Sequence, residues 1–135
     1  MLDGKVIVVI GAAGLLGREF VKAIVMKGGT VVLADIAPAA AEATLAEVRE
    51  LAPDTRSGAC AVDITDGASV DALIAETMKR HGRIDGMVNA AYPRNANYGR
   101  KFFDVEYKDF CANVDAHLGG YYLTCQRFAK AMTAA

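Results

Sequence analysis

The segment that most constrains the fold is a run of five β-branched residues, Val6–Ile10, followed at once by the turn Gly11-Ala12-Ala13-Gly14-Leu15-Leu16-Gly17. The run shows no alternation of apolar and polar residues, which is typical of a strand buried on both faces of a parallel sheet. From Leu16 the apolar residues return at helical spacing, and Gly28-Gly29 supplies a left-handed stop. The segment therefore predicts a strand, a tight turn and a helix.

The same strand-helix unit repeats along the chain. The pattern predicts a strand at Thr30–Ala34, a helix from Pro38 that ends before Pro53, a strand at Ala59–Val62, a helix between Asp66 and Gly82, a strand at Ile84–Val88, a polar and aromatic loop at Ala90–Phe103, and a helix from Asp104 onward. Such helices join parallel strands by right-handed crossovers, so we expect a Rossmann-type, doubly wound α/β sheet. No linker divides residues 1–135, which favours one domain that looks like the first part of a larger sheet.

Composition excludes several partner classes. Fifteen Lys and Arg against 16 Asp and Glu give a net charge of −1, which offers no electrostatic case for nucleic acid or an anionic membrane. The longest uncharged stretch, Val6–Gly17, is shorter than a membrane span requires. Three cysteines without Cys-x-x-Cys spacing predict neither a disulfide framework nor a metal site, and they favour a reducing, cytoplasmic setting.

The glycine turn and the acidic residue after the second strand point to a dinucleotide. Glycines let the backbone approach a pyrophosphate, and the helix N-terminus offers free N–H groups and a positive dipole to it. Asp35, at the end of the second strand, can accept both ribose hydroxyls of adenosine and would repel a 2′-phosphate. Neither Ile36 nor the turn supplies Arg or Lys, so NAD is favoured over NADP. The alternative is that Asp35 caps the next helix and the glycines only tighten a turn.

Together with three further segments, these residues resemble the short-chain dehydrogenase/reductase family along the whole chain. Val62–Asp66 is similar to the family's adenine-contacting segment, Gly82–Ala91 to its fourth strand and Asn-Asn-Ala-Gly motif, and His117–Gln126 to its Asn-Leu-x-Gly-x-Phe-x-x-Thr-Gln helix. The resemblance implies cofactor contacts at Gly11, Ala13, Gly14, Leu15, Leu16, Gly17, Asp35, Ile36, Asp63, Ile64, Asn89, Ala90 and Ala91.

Three departures from the family pattern bear on function. Gly14 stands one residue early, as in the extended subfamily of sugar-nucleotide epimerases and dehydratases. Tyr92 replaces a glycine. His117 occupies the family's active-site Asn position, with Asn113 one helical turn upstream, so both are candidate catalytic residues. His117 could act through its backbone carbonyl, which in the family holds a water in a proton relay, or through an imidazole that titrates near neutral pH; otherwise it packs the helix.

The family's proton donor is a Tyr followed four residues later by Lys, and none of the five tyrosines of this chain has Lys at that distance. The chain therefore resembles the N-terminal half of a family member. The loop Tyr92-Pro93-Arg94-Asn95 and the segment His117–Gly120 also resemble dehydrogenase-like proteins of flagellin-glycan or sugar-modification clusters.

The resemblance predicts an NAD-dependent oxidoreductase acting on a hydroxyl or carbonyl of a small molecule, such as a sugar derivative. Two alternatives stay open at this point: a non-catalytic nucleotide-binding or scaffolding module, and half of a sugar-nucleotide epimerase or dehydratase. The family's pairing of this helix between subunits implies a homo-oligomer formed through the C-terminal helix, where Gly119-Gly120 would allow a close helix crossing.

Overall fold

The computed structural model describes residues 1–134, in which four strands alternate with helices. The strands are β1 (Val6–Ile10), β2 (Thr30–Asp35), β3 (Gly58–Ala61) and β4 (Gly86–Asn89), and the helices are α1 (Leu15–Met26), α2 (Pro38–Leu51), α3 (Gly67–His81), α4 (Tyr107–Val114) and α5 (Gly120–Ala134). Neighbouring strands are parallel in the order β3-β2-β1-β4. The predicted doubly wound α/β fold is confirmed.

Helices cover both faces of the sheet because β1 and β2 are apolar on both sides. On one face, Val8 of β1 packs in a cluster with Val70 of α3 and Phe128 of α5. On the other face, Val9 packs in a cluster with Leu45 of α2 and residues of α1. All five side chains are at most 1% exposed. The two cores explain why β1 shows no alternation of apolar and polar residues.

The fourth strand begins later than the sequence indicated. The prediction placed it at Ile84–Val88, whereas β4 spans Gly86–Asn89. The reason lies in Asp85, whose carboxylate accepts a hydrogen bond from the backbone N–H of Val6 at 2.8 Å. This side chain occupies the Val6 N–H, which a carbonyl of the fourth strand would otherwise bind, so the ladder starts two residues later than predicted, with Gly86 opposite Ile7.

The long C-terminal helix is interrupted. Phe102–Asp104 forms a short 3₁₀ turn, and α4 begins at Tyr107 rather than at Asp104 as predicted. Between α4 and α5, Asp115–Gly119 forms a π-helical turn, and the helical backbone continues through it. Single π turns of this kind are frequent at functional sites, and this one contains His117.

Two further absences hold for residues 1–134. No helix there combines the length and the apolar character that crossing a membrane requires. No group of three or more His, Cys, Asp or Glu side chains there is arranged to hold a metal ion.

Candidate functional site

A cavity of about 700 Å³ opens where the carboxyl ends of the strands meet. This edge of an open parallel sheet is where such folds bind ligands, and the volume is in the range of ordinary small-molecule sites. The cavity is lined by the glycine turn, by the residues that follow β2 and β3, and by the segment after β4: Ile10, Gly11, Ala13, Gly14, Leu15, Leu16, Asp35, Ile36, Ala40, Val62, Asp63, Ile64, Ala90, Ala91, Tyr92, Pro93 and Arg94.

The three glycines of the turn have different physical roles. Gly11 has a φ of +76°, and a Cβ placed on it would lie 2.6 Å from the backbone nitrogen of Ala91. A Cβ on Gly17 would overlap the carbonyl oxygen of Gly11. Gly14 is less confined, with its nearest contact at 3.2 Å, and it lines the cavity. Packing alone therefore requires Gly11 and Gly17, and Gly17 lies behind the cavity wall.

Helix α1 presents its N-terminus at the cavity. The first N–H groups of a helix have no intrahelical acceptor and carry a partial positive charge. No acidic residue lies in this first turn, and the Leu15 and Leu16 side chains are 93% and 68% exposed. The backbone donors of this turn are thus free to bind an anion.

Asp35 faces the same cavity from the end of β2. Its Oδ2 accepts a hydrogen bond from the backbone N–H of Ala13, and its Oδ1 accepts one from that of Ala37, both at 3.0 Å. The side chain therefore holds the glycine turn against the start of α2. This is a structural role of the kind that the sequence left open as the alternative to nucleotide binding. A carboxylate has about four acceptor positions, so two such bonds leave capacity for ribose hydroxyls.

The segment after β3 is fixed by local hydrogen bonds. Asp63 accepts two bonds from Thr65, from its backbone N–H at 2.9 Å and from its hydroxyl at 2.6 Å. Ile64 is buried, and a Cβ on Gly120 would come within 2.9 Å of its side chain. Gly120 thus permits a close contact within the chain, and the expectation that Gly119-Gly120 allows a close helix crossing between subunits stays a prediction.

Asn89, the last residue of β4, lies beneath the cavity floor. Its side-chain amide donates to the hydroxyl of Thr124 on α5 at 3.0 Å, and its Oδ1 accepts from the backbone N–H of Ala91 at 3.1 Å. Asn89 therefore ties α5 to the backbone of the lining residues Ala90 and Ala91. Thr124 is fully buried, and the sequence reasoning missed this role, although the residue belongs to the family-like segment His117–Gln126.

Three lining residues directly follow β4: Pro93 and Arg94 were missed as site residues, and Tyr92 was noted only as a departure from the family pattern. The available signal was their position, since they directly follow the carboxyl end of β4. The Tyr92 hydroxyl hydrogen-bonds to that of Tyr98. This bond, together with partial desolvation, raises the pKa of Tyr92 above its ordinary value.

His117 lies one layer behind the cavity wall. Its ring centroid is 4.4 Å from that of Tyr92, and it stacks parallel to Tyr121 at 6.2 Å. The Tyr121 hydroxyl donates to the carbonyl oxygen of Ala91 at 2.7 Å, which fixes this stack to the floor of the site. Within residues 1–134 the buried Nε2 of His117 has no hydrogen-bond partner.

Asn113, the second candidate catalytic residue, contacts the loop after β4. Its Oδ1 accepts from the backbone N–H of Asn95 at 3.0 Å, and its amide donates to the Asn95 side chain at 3.2 Å. Nearby Asp109, only 8% exposed, accepts from the side-chain amides of Asn95 and Asn97 at 3.0 and 2.9 Å. Asn113 and Asp109 together anchor this loop on α4, and a catalytic role of Asn113 stays a prediction.

Comparison with known proteins identifies the class. The family model described as short chain dehydrogenase matches residues 5–135, and the chain belongs to that family. It is 32% identical over 132 residues, 96% of this chain and 51% of the relative, to post-translational flagellin modification protein A of Campylobacter coli. It is 44% identical over 90 residues, 67% of this chain and 33% of the relative, to a sorbitol dehydrogenase of Cereibacter sphaeroides. The chain thus spans about half or less of these relatives.

Solved structures agree with this assignment. Levodione reductase superposes with a TM-score of 0.87 at 28% identity, covering 98% of this chain and 50% of that one. A metagenomic short-chain oxidoreductase in complex with NADP gives 0.82 at 26% identity, covering 98% and 58% of the two chains. A 3-ketoacyl-(acyl-carrier-protein) reductase from Brucella melitensis complexed with NADH gives 0.78 at 28%, covering 94% and 49%. Similar structures thus include complexes of both cofactor types.

Proposed function

We propose that this chain supplies the NAD-binding part of an oxidoreductase that acts on a hydroxyl or carbonyl group of a small molecule. The observation that carries the proposal is the shared cavity of the glycine turn, the α1 N-terminus and Asp35. The turn and the free N–H groups of α1 would hold the pyrophosphate, and Asp35 would accept hydrogen bonds from the adenosine ribose. The bound nicotinamide would supply the hydride chemistry.

The preference for NAD over NADP is part of this proposal. The Asp35 carboxylate would repel a 2′-phosphate, and its exposed neighbour Ile36 offers no positive charge to bind one. Because the similar structures include both cofactor types, the argument depends on these two side chains. Both side chains line the cavity, so a 2′-phosphate on a bound cofactor would lie close to them.

The decisive experiment is calorimetric titration of the chain and of Asp35→Ala with NAD and NADP. Losing a hydrogen bond to a charged group costs about 1.5–3 kcal/mol, so NAD affinity is expected to fall by roughly 10- to 150-fold while the penalty on NADP is relieved. Asp54→Ala, which removes an exposed carboxylate outside the cavity, is the matched control. Equal affinities of the unmodified chain for NAD and NADP would contradict the proposal.

For the substrate we propose a sugar or polyol derivative. Support comes from the relatives, which include a sorbitol dehydrogenase and a flagellin modification protein.

In the whole protein, the backbone carbonyl of His117 would hold a water in the proton relay, and Asn113 would position the loop that follows β4. A non-catalytic nucleotide-binding module is the second candidate, because the cavity by itself accounts for binding a nucleotide and not for hydride transfer. Hydride transfer by the whole protein would exclude that module.

We further propose a homo-oligomer formed through the C-terminal helix, in the cytoplasm. Phe110, Leu118 and Tyr122 recur at helical spacing along α4, the π turn and α5, and they are 57%, 67% and 66% exposed. Apolar side chains left exposed along one stretch of helix support an interface there. Sedimentation should show association that Leu118→Glu weakens, whereas a protein that stays monomeric as its concentration is raised would count against the oligomer.

The cysteines support the cytoplasmic location. The two exposed free cysteines, Cys111 and Cys125, favour a reducing compartment.

A further inference from the structure

The wall of the cavity contains one basic side chain among the residues that the structure describes, that of Arg94. Within residues 1–134 Arg94 forms no salt bridge. The two carboxylates on the same wall, Asp35 and Asp63, are held by neighbouring N–H and hydroxyl groups instead. Arg94 is exposed and lines a ligand-sized space, and its guanidinium has no anionic partner among residues 1–134.

The backbone that carries Arg94 is fixed. Asn95, the next residue, is fastened to Asn113 and to the nearly buried Asp109 by the hydrogen bonds described above. The guanidinium carbon lies 5.9 Å from the ring centroid of Tyr98, within the range of a cation–π contact. A fixed loop lowers the ordering cost that a ligand contact must offset.

We propose that Arg94 is the anion-binding residue on the wall of the cavity formed by the segment after β4, and that its ligand is a phosphate or carboxylate group. The planar guanidinium presents its donors in a fork that matches both groups. The group belongs either to the cofactor pyrophosphate or to an anionic small-molecule substrate. This inference rests on the proposed function, because it takes the same cavity as the cofactor site.

The test is calorimetric titration of the full chain with inorganic pyrophosphate, NAD and adenosine. The variants are Arg94→Gln, Arg94→Lys and, as the matched control, Lys101→Gln, which removes an exposed charge from the same loop outside the cavity. We expect Arg94→Gln to weaken pyrophosphate binding about tenfold or more, with Arg94→Lys intermediate and Lys101→Gln unchanged. Circular dichroism would verify that each variant is folded.

The NAD arm separates the two sources of the anion. If NAD weakens in parallel with pyrophosphate while adenosine is unaffected, Arg94 contacts the cofactor; if NAD is unaffected, Arg94 contacts the substrate. Unchanged pyrophosphate affinity in Arg94→Gln, or an equal loss in Lys101→Gln, would overturn the inference and leave a solvated side chain only. A chain that binds pyrophosphate through Arg94 but does not bind NAD would refute the proposed function and not this inference.

Discussion

The β1–α1–β2 region and the segment from Tyr92 to Tyr122, whose first three residues line the same cavity, are held in place differently. In the first region β1 is almost wholly buried, and backbone atoms lie so close together that glycine is required at two positions. In the second, aromatic and apolar side chains remain exposed, among them Phe103 at 95% and Tyr122 at 66%. The first region is determined by its own packing. Side-chain hydrogen bonds fix the second, so sequence changes there are expected to leave the sheet folded.

The largest effect is expected from Gly17→Ala, which tests whether packing alone fixes the first region. The new Cβ would overlap the Gly11 carbonyl, and backbone there cannot shift without moving the strand end. Overpacking of this kind costs about 3 kcal/mol or more, so we expect a large fall in the urea midpoint or no folded protein. Gly14→Ala, whose Cβ would lie 3.2 Å from the same carbonyl oxygen, is the control and should cost far less, because a shift of a few tenths of an ångström relieves that contact. Comparable losses in both variants would contradict the distinction.

The second prediction removes the anchor of the second region. Asp109→Ala deletes the acceptor of the Asn95 and Asn97 amides, and we expect a loss of about 2 kcal/mol together with faster proteolysis between residues 92 and 104. Asp115→Ala, which removes an exposed carboxylate from the same continuous helix, is the control. If NAD affinity collapsed along with loop order, the two regions would not be independent.

The third prediction concerns pH and the strand start that the sequence misplaced. The Arg83 guanidinium, with the Val6 N–H and Lys5, holds the pKa of Asp85 well below its usual range. Because the folded-state pKa is lowered, this stabilisation is present above the ordinary carboxyl pKa near 3.8 and is lost as pH falls below it.

We therefore expect Asp85→Asn to lower the free energy of unfolding by about 1–2 kcal/mol at pH 7. Below pH 4, the free energy of unfolding of this variant should fall less steeply with pH than that of the unmodified chain. Asp71→Asn, which alters the exposed pair with Arg127, is the control. Denaturant unfolding at several pH values measures both effects, and identical acid sensitivity in Asp85→Asn and the unmodified chain would refute the assignment.

The sequence predicted the first region well because its constraints are local. A buried strand, a glycine turn and a helix follow one another along the chain, and apolar periodicity reports each of them. The side-chain bond from Asp85 to β1 spans 79 residues, and the anchoring of Asn95 by Asp109 spans 14. Periodicity carries no information on such pairs. The cavity-lining role of Arg94 likewise depends on where the loop folds back, which residue type alone does not fix.

The smallest effect is expected from His117→Asn. This variant tests whether the second region contributes the His117 imidazole to the site or only its backbone carbonyl. The buried Nε2 has no partner within residues 1–134, so Asn loses no hydrogen bond there, and the lost aromatic contact with Tyr92 is worth about 0.5–1.5 kcal/mol. In the whole protein we expect His117→Asn and His117→Ala to retain most activity with an unchanged pH profile, because the carbonyl in the π turn survives both. His81→Asn, remote from the cavity, is the control. Loss of activity in both His117 variants, with an altered profile between pH 5 and 8, would show instead that the imidazole carries protons.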